Sequence, residues 1–455
     1  MQLKSVNPDR PSEVVAEFDD ASPADIDAAV RTAAAGFREW NAQPASARGT
    51  ALGRIADRLA ERADSLAALI VSEVGKPIRE ARGEVARATA ICRYYAQIVL
   101  APDGESYPAQ DPSAWLTTRR FPRGVCGLIT PWNFPLAIPL WKAAPALGYG
   151  NAVVLKPAPQ GTAVARALEE IVAAELPDGL FVLVTGDSAP GAALVAHEDV
   201  AALSFTGSIP VGRQVAAVAA GRGAAVQCEL GGQNPSIVLA DADLDRAART
   251  IAQAAMGYAG QKCTATSRVI VEQPVYAEFR DRLVAAVEAM GLFDPTEEEC
   301  EVGPLIDGDA LAGAVAALGA TGGSRLTGGG VPDREGAYLE PTIVEIADPR
   351  DVLAQEEVFA PVIALLEAPC ADAAVDLANG VRHGLVAAVF TTRLDQVFAI
   401  ATRLEAGLVR VNAATSGVDF HVPFGGSKAS SIGPREQGLA AREFYTESRT
   451  FLLAP

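Results

Sequence analysis

The chain has 455 residues and a formal net charge of −18, long enough for two or three lobes with large cores. That acidity weighs against a nucleic-acid partner, whose phosphates demand a basic surface. The opening stretch shows no signal-peptide pattern and no apolar run is long enough to cross a bilayer, so the expectation is a cytoplasmic protein with no membrane partner.

The first element in chain order is a helix in SPADIDAAVRTAAAGFREW. Ser22, Pro23 and Asp25 take N-cap, first-turn and N3 positions, and Ile26, Val30, Ala33, Phe37 and Trp40 line one face. A second periodic stretch from 46 to 74 stops at Gly75-Lys76-Pro77, and helix resumes up to a polar break at 102–112. From Val125 short apolar runs alternate with helical stretches: VCGLI, AVVLK, LFVLVTG, VAALSFTG and AVQCELGG, then SIVLAD, SRVIVE, PVIALLE, LVAAVFTT and GLVRVN. This alternation predicts βαβ units and parallel sheets in two α/β lobes. The glycine-rich stretch 319–330 reads as a surface loop.

Six cysteines show neither a disulfide framework nor a CxxC pair, so reduced thiols and no metal are expected. No G-x-G-x-x-G stands in the first lobe. Its place is taken by SFTGSIPVGR, where a strand runs into Thr206-Gly207-Ser208 and a helix with Gly212 in its first turn. Backbone N–H groups at such a turn suit a phosphate, but the same sequence also fits an ordinary strand-to-helix connection. Cys263, at the mouth of the run TSRVIVE, fits either a reactive thiol or a small buried hydrophobe.

Read together, TPWNFP (130–135), VLKPAPQG (154–161), SFTGS (204–208), ELGGQNP (229–235), GQKC (260–263), QEEVFAPV (355–362) and PFGGSK (423–428) resemble the ordered motif set of the aldehyde dehydrogenase superfamily. The resemblance spans nearly the whole chain. It implies NAD(P)-dependent oxidation of an aldehyde to a carboxylic acid through a cysteine thiohemiacetal and thioester. Cys263 resembles the nucleophile, Asn133 with the Cys263 N–H the oxyanion donors, and Glu229 the base that activates water for a hydrolytic, not coenzyme-A-acylating, outcome. Lys156 resembles the lysine at the adenine ribose, Ser208 the residue at the pyrophosphate, Gly231 a close backbone approach, Glu357 the carboxylate on the nicotinamide ribose, and Phe359 the ring beside the nicotinamide. Thr130, Pro131, Trp132, Thr206 and Gly207 complete the expected cofactor wall.

Two departures carry chemistry. Pro159 stands where NAD-preferring relatives often have a glutamate that accepts from the 2′-hydroxyl, which favours NADP and leaves NAD open. Ala360 follows Phe359 where glycine is common. The C-terminal stretch looks like the branch that oxidises 2,5-dioxopentanoate (α-ketoglutaric semialdehyde), so a small anionic aldehyde is expected. Trp141 and Gly257 occupy the positions of succinic-semialdehyde arginines, leaving Lys262, Arg268 and His421 as candidates to meet the anion. A cysteine hydrolase or thioesterase, using His197, His383 or His421, and a catalytically silent scaffold are the competing classes.

The resemblance implies a Rossmann-like cofactor domain (1–104 and 125–230), an α/β catalytic domain (231–442) and a small bridging β oligomerisation element (105–124 and 443–455). A sticky terminal strand around Thr450–Leu453 predicts a homodimer or homotetramer.

Overall fold

Ser22 and Asp25 form the expected capping box, Ser22 accepting from the Asp25 N–H while the Asp25 carboxylate accepts from Ser22 N at 2.9 Å. The helix they open, Pro23–Asn41, buries Ile26, Val30, Ala33 and Trp40, with Phe37 half-buried beside them. The periodic stretch 46–74 is two helices, Ala45–Glu61 and Ala63–Val74, the second ended by Gly75 at φ 65°, a left-handed cap that suits glycine. The helix Ile78–Ile98 follows at once. The structure, a computed structural model, describes residues 2–455.

Two large sheets organise the site, beside a three-stranded sheet and an N-terminal hairpin. The first has six strands in the order Ser431–Ile432, Ala225–Glu229, Val200–Thr206, Val125–Thr130, Ala152–Pro157 and Phe181–Leu183, all parallel except Ser431–Ile432. The chain starts at Val125–Thr130, winds to one side, then returns to the other. The strand order therefore reverses between Val125–Thr130 and Val200–Thr206, and ligands bind parallel sheets at the carboxyl ends of strands flanking such a switch. Those ends are Thr130-Pro131-Trp132 and Thr206-Gly207-Ser208. Gly212 lets the helix Ile209–Gly221 close on the next strand: a Cβ there would stand 2.2 Å from Leu230 Cδ2.

The second sheet has seven strands in the order Ser324–Thr327, Thr342–Glu345, Val362–Ala368, Thr266–Glu272, Asn234–Val238, Val386–Phe390 and Leu408–Val411, parallel except at the Ser324–Thr327 edge. The α/β expectation holds in both sheets. The glycine-rich stretch is not wholly loop, because Ser324–Thr327 pairs with Thr342–Glu345. An N-terminal hairpin, Gln2–Val6 with Val14–Asp19, also lay outside the sequence reading. The third sheet joins Ser106–Tyr107, Trp115–Pro122 and Thr446–Leu453. Its Trp115 and Leu452 are 76% and 64% exposed. Among the described residues no helix is long and apolar enough to cross a membrane.

Candidate active site

The switch point opens into a cleft of about 750 Å³ whose walls include Thr130, Pro131, Trp132, Lys156, Pro159, Thr206 and Gly207. A second cavity of about 300 Å³ has Asn133, Ser208, Gly231, Cys263, Glu357 and Phe359 on its walls. Both include Pro131, Trp132, Thr206 and Gly207, so they form one channel from Lys156 to Cys263. Every cofactor-wall residue expected from sequence lies along it. The buried hydroxyls of Thr130 and Thr206 have no partner there, and the buried Lys156 ammonium makes no hydrogen bond among the described residues. Burial lowers Lys156 to about 8, against the pull of Asp187 and Asp20. Open donors along a channel with a cation at its far end fit a dinucleotide.

Cys263 sits in a turn just before the strand Thr266–Glu272, half-buried, with its thiol pushed up to about 12 by desolvation and then by the nearby carboxylates of Glu357, Glu229 and Glu436. The turn is pinned by Asn234, whose Nδ2 donates to the carbonyls of Cys263 and Ala265 at 2.8 Å each while Oδ1 accepts from Val386 N at 3.1 Å. Asn133 Nδ2 donates to Gln261 O at 3.0 Å, leaving its second N–H free.

Glu229 ends the strand Ala225–Glu229 and is buried. Its Oε2 accepts from Ser431 Oγ at 2.7 Å, while Oε1 has no partner. Burial, reinforced by the charge of Glu436, raises this carboxyl well above its ordinary range. The motif PFGGSK acquires a physical role here: a Cβ on Gly425, at φ 147°, would lie 2.7 Å from Glu229 Oε1, so only glycine lets this segment pass the carboxyl. Glu357 Oε1 accepts from Gly232 N at 3.1 Å, and burial raises it to about 7. A Cβ on Gly231 would stand 2.0 Å from Glu357 Oε2. Phe359 holds φ 57°, and its ring meets Trp132 edge-on at 5.8 Å.

The residue set and its order along the chain match a known family over residues 1–451, described as the aldehyde dehydrogenase family. The chain belongs to the aldehyde dehydrogenase family. It is 39% identical to the alpha-ketoglutaric semialdehyde dehydrogenase of Bacillus subtilis (strain 168), across 100% of this chain and 95% of the relative. It is 41% identical to the alpha-ketoglutarate semialdehyde dehydrogenase of Haloferax volcanii, across 98% and 94%. The crystal structure of an NAD-dependent aldehyde dehydrogenase from Sinorhizobium meliloti superposes with a TM-score of 0.97 at 33% identity, covering 100% of this chain and 92% of that one. This aldehyde dehydrogenase is thus an NAD(P)-dependent oxidoreductase, and the hydrolase and silent-scaffold readings are not favoured. No histidine lines the Cys263 cavity. His197 lies 3.4 Å from Asp27, and burial lowers the enclosed His383 to about 4.

Two candidate anion-binding residues are committed elsewhere. Lys262 pairs with Glu80 at 2.8 Å, and Arg268 is buried with its donors on the carbonyls of Gln233, Leu377 and Ala378. His421 borders an apolar groove with Tyr94 and Phe420. A Cβ on Gly257 would crowd the same ion pair, standing 3.0 Å from Glu80 Oε1 and 3.2 Å from Lys262 Nζ. Asn234, Asp187 and the buried pair Lys142–Glu436, which shares Ser204 and adds its charge to Glu229, were not found from sequence. One signal was present: Lys142 is the only charged residue in AIPLWKAAPALG, a helix buried throughout.

Proposed function

We propose that this enzyme oxidises a small anionic aldehyde, of the 2-oxo-acid semialdehyde type, to its carboxylic acid through a thioester on Cys263. The carrying observation is the continuous channel that leads from Lys156 to a cavity faced by both Cys263 and Asn133. Cys263 Sγ attacks the aldehyde carbon as its proton passes to solvent in the open channel. The resulting oxyanion takes hydrogen bonds from Asn133 Nδ2 and the Cys263 N–H. When bound, the oxidised nicotinamide supplies positive charge beside the thiol and the acceptor for the hydride. Glu229 then takes a proton from water, the water oxygen adds to the thioester carbonyl, and the Cys263 thiolate leaves as the carboxylic acid forms. Burial pushes the Cys263 thiol up to about 12 and raises the Glu229 carboxyl well above its ordinary range, so the enclosed site favours the neutral forms, and the positive charge of the bound nicotinamide would favour the thiolate and the ionised base.

Thr130, Pro131, Trp132, Thr206, Gly207 and Ser208 would flank the dinucleotide, with Lys156 at the adenosine end and Gly231, Glu357 and Phe359 at the nicotinamide end. Pro159 removes one carboxylate from the adenosine end, while the exposed Asp187 supplies another. A solvent-facing carboxylate is screened and repels a 2′-phosphate less than one held against the ribose. The reading therefore keeps NADP beside NAD.

The domain roles follow: the six-stranded sheet carries the cofactor and the seven-stranded sheet the nucleophile. The exposed three-stranded sheet supports pairing into a homodimer or homotetramer, as an open apolar edge invites. The names of the Bacillus and Haloferax relatives support the substrate class, and a cytoplasmic setting fits six unpaired thiols. The test is Cys263→Ala, which should abolish aldehyde-dependent formation of reduced nicotinamide while cofactor binding persists. Substantial remaining oxidation would place the chemistry on another residue. A panel of carboxylated, neutral and aromatic aldehydes tests the substrate class, and equal kcat/KM across it would refute it.

A further inference from the structure

The long helix Ile78–Ile98 lies behind the catalytic turn, and its buried acid reaches into that turn. Lys76 and Glu84 form an ion pair with both side chains fully buried. Lys76 Nζ also donates to the carbonyl of Asn133 at 2.8 Å. Glu84 Oε1 accepts from the N–H groups of Leu136 and Ala137 at 2.9 and 3.0 Å, at the start of the helix Ala137–Gly148. Three backbone groups of one short turn are thus held by two charges of opposite sign. Lys76 Nζ further stands 3.8 Å from the Phe134 ring centroid and 4.6 Å from that of Tyr258. Tyr258 leads, through Gln261, into the nucleophile turn, and Asn133 Nδ2 closes the circuit on Gln261 O. Gln261 is itself fixed, its side chain bonded to Pro304 O and Ile306 N.

A buried ion pair is a weak source of stability, because desolvation offsets much of the attraction. A pair that spends its hydrogen bonds on the backbone around one side chain instead fixes where that side chain points. We propose that Lys76 and Glu84 are positioning residues for Asn133, holding its free amide N–H toward the oxyanion formed when Cys263 attacks the aldehyde. The proposal rests on reading Asn133 as the oxyanion donor. Both ends of the pair are needed: Lys76 holds the carbonyl of Asn133 itself, and Glu84 fixes the chain three and four residues on.

The test compares two reactions of the same sulfur in the full-length enzyme. Aldehyde oxidation passes through an oxyanion, whereas alkylation of Cys263 by iodoacetamide is a direct displacement at carbon that forms none. In Glu84→Ala and Lys76→Met, kcat/KM for the aldehyde should fall at least tenfold, while the Cys263 alkylation rate and NAD(P) affinity stay within about threefold. Glu84→Gln, whose amide oxygen still accepts from Leu136 and Ala137, should fold even where Glu84→Ala does not and should recover part of the loss. The double variant Glu84→Ala, Asn133→Ala should be no slower than Asn133→Ala alone, since residues acting through one group are not additive.

Equal loss in oxidation and alkylation would overturn the proposal in favour of general disruption of the turn. So would a Glu84→Gln enzyme as impaired as Glu84→Ala, or additive losses in the double variant. An Asn133→Ala enzyme with undiminished oxidation would remove the oxyanion reading itself, a failure visible in that variant alone.

Discussion

Replacing Asn234 by alanine should damage catalysis far more than its place behind the cavity suggests. The substitution strips partners from two carbonyls, those of Cys263 and Ala265, and from the Val386 N–H. Each buried group left unpaired costs about 1–3 kcal/mol. Water entering the space vacated by the amide restores part of this, so the lower end, about 3 kcal/mol in total, is the working figure. Unfolding entropy of about 2.1 cal/mol/K per residue makes that a fall in Tm of about 3 °C if the chain melts as one unit. The enzyme stays folded, but the Cys263 turn loses its anchor, and kcat/KM should drop at least tenfold. Asn234→Asp discriminates the mechanism, because a carboxylate keeps the acceptor for Val386 N–H and sets negative charge against the two carbonyls. It should be the worse variant in both Tm and rate. Calorimetry and initial-rate kinetics on the three proteins decide it. An Asn234→Asp enzyme milder than Asn234→Ala, or either variant with wild-type kcat/KM, would refute the anchoring argument.

Glu229→Gln should permit one rapid turnover of hydride and then stall with an acylated Cys263, seen as a burst in rapid mixing and as added mass on the protein; an unchanged steady-state rate would mean that water is activated elsewhere. Pro159→Glu should shift kcat/KM toward NAD, since a hydrogen bond to a charged acceptor is worth about 1.5–3 kcal/mol, roughly 10- to 150-fold; an unchanged NADP/NAD ratio would give cofactor choice to another residue, with Asp187 next to be tested. Glu73, buried where it accepts from Ala163 and Val164 N–H, is raised from 4.5 to about 7. A raised carboxyl contributes stability below its unfolded pKa and loses it as pH climbs through the folded one. The advantage of wild type over Glu73→Gln should therefore shrink by about 3 kcal/mol between pH 4.5 and 8, and a pH-independent difference in urea unfolding would contradict this.

The elements legible in the sequence are those whose signal is local. The capping box at Ser22 and the parallel strands with their continuous apolar runs announce themselves within a few residues, and the channel residues emerged from ordered motifs. The hairpin Gln2–Val6 with Val14–Asp19 was hidden because its strands are exposed or half-buried at all but two residues and carry little apolar alternation. Ser324–Thr327 was hidden among glycines. Buried charges were hardest: Lys76 stood only in the Gly75-Lys76-Pro77 break and Glu84 drew no notice in the helical stretch after it, and only the fold brings Glu436 to Lys142 across nearly 300 positions. The partners of the candidates Lys262 and Arg268 were hidden for the same reason, since sequence does not show which cations are already satisfied.

The short strand Ser431–Ile432 lays the chain's late residues against Glu229, and Ser430 Oγ donates to the carbonyl of Gly231 at 2.8 Å. On the ribosome, Cys263 is therefore synthesised well before the segment that encloses Glu229. Until residues 425–432 emerge and dock, Glu229 lacks the Ser431 hydroxyl on its Oε2 and the backbone of Gly425 beside its Oε1. The enclosure of Glu229 is thus completed late in synthesis, and a chain that terminates before Gly425 should leave the ribosome with Cys263 but without the segment that covers Glu229.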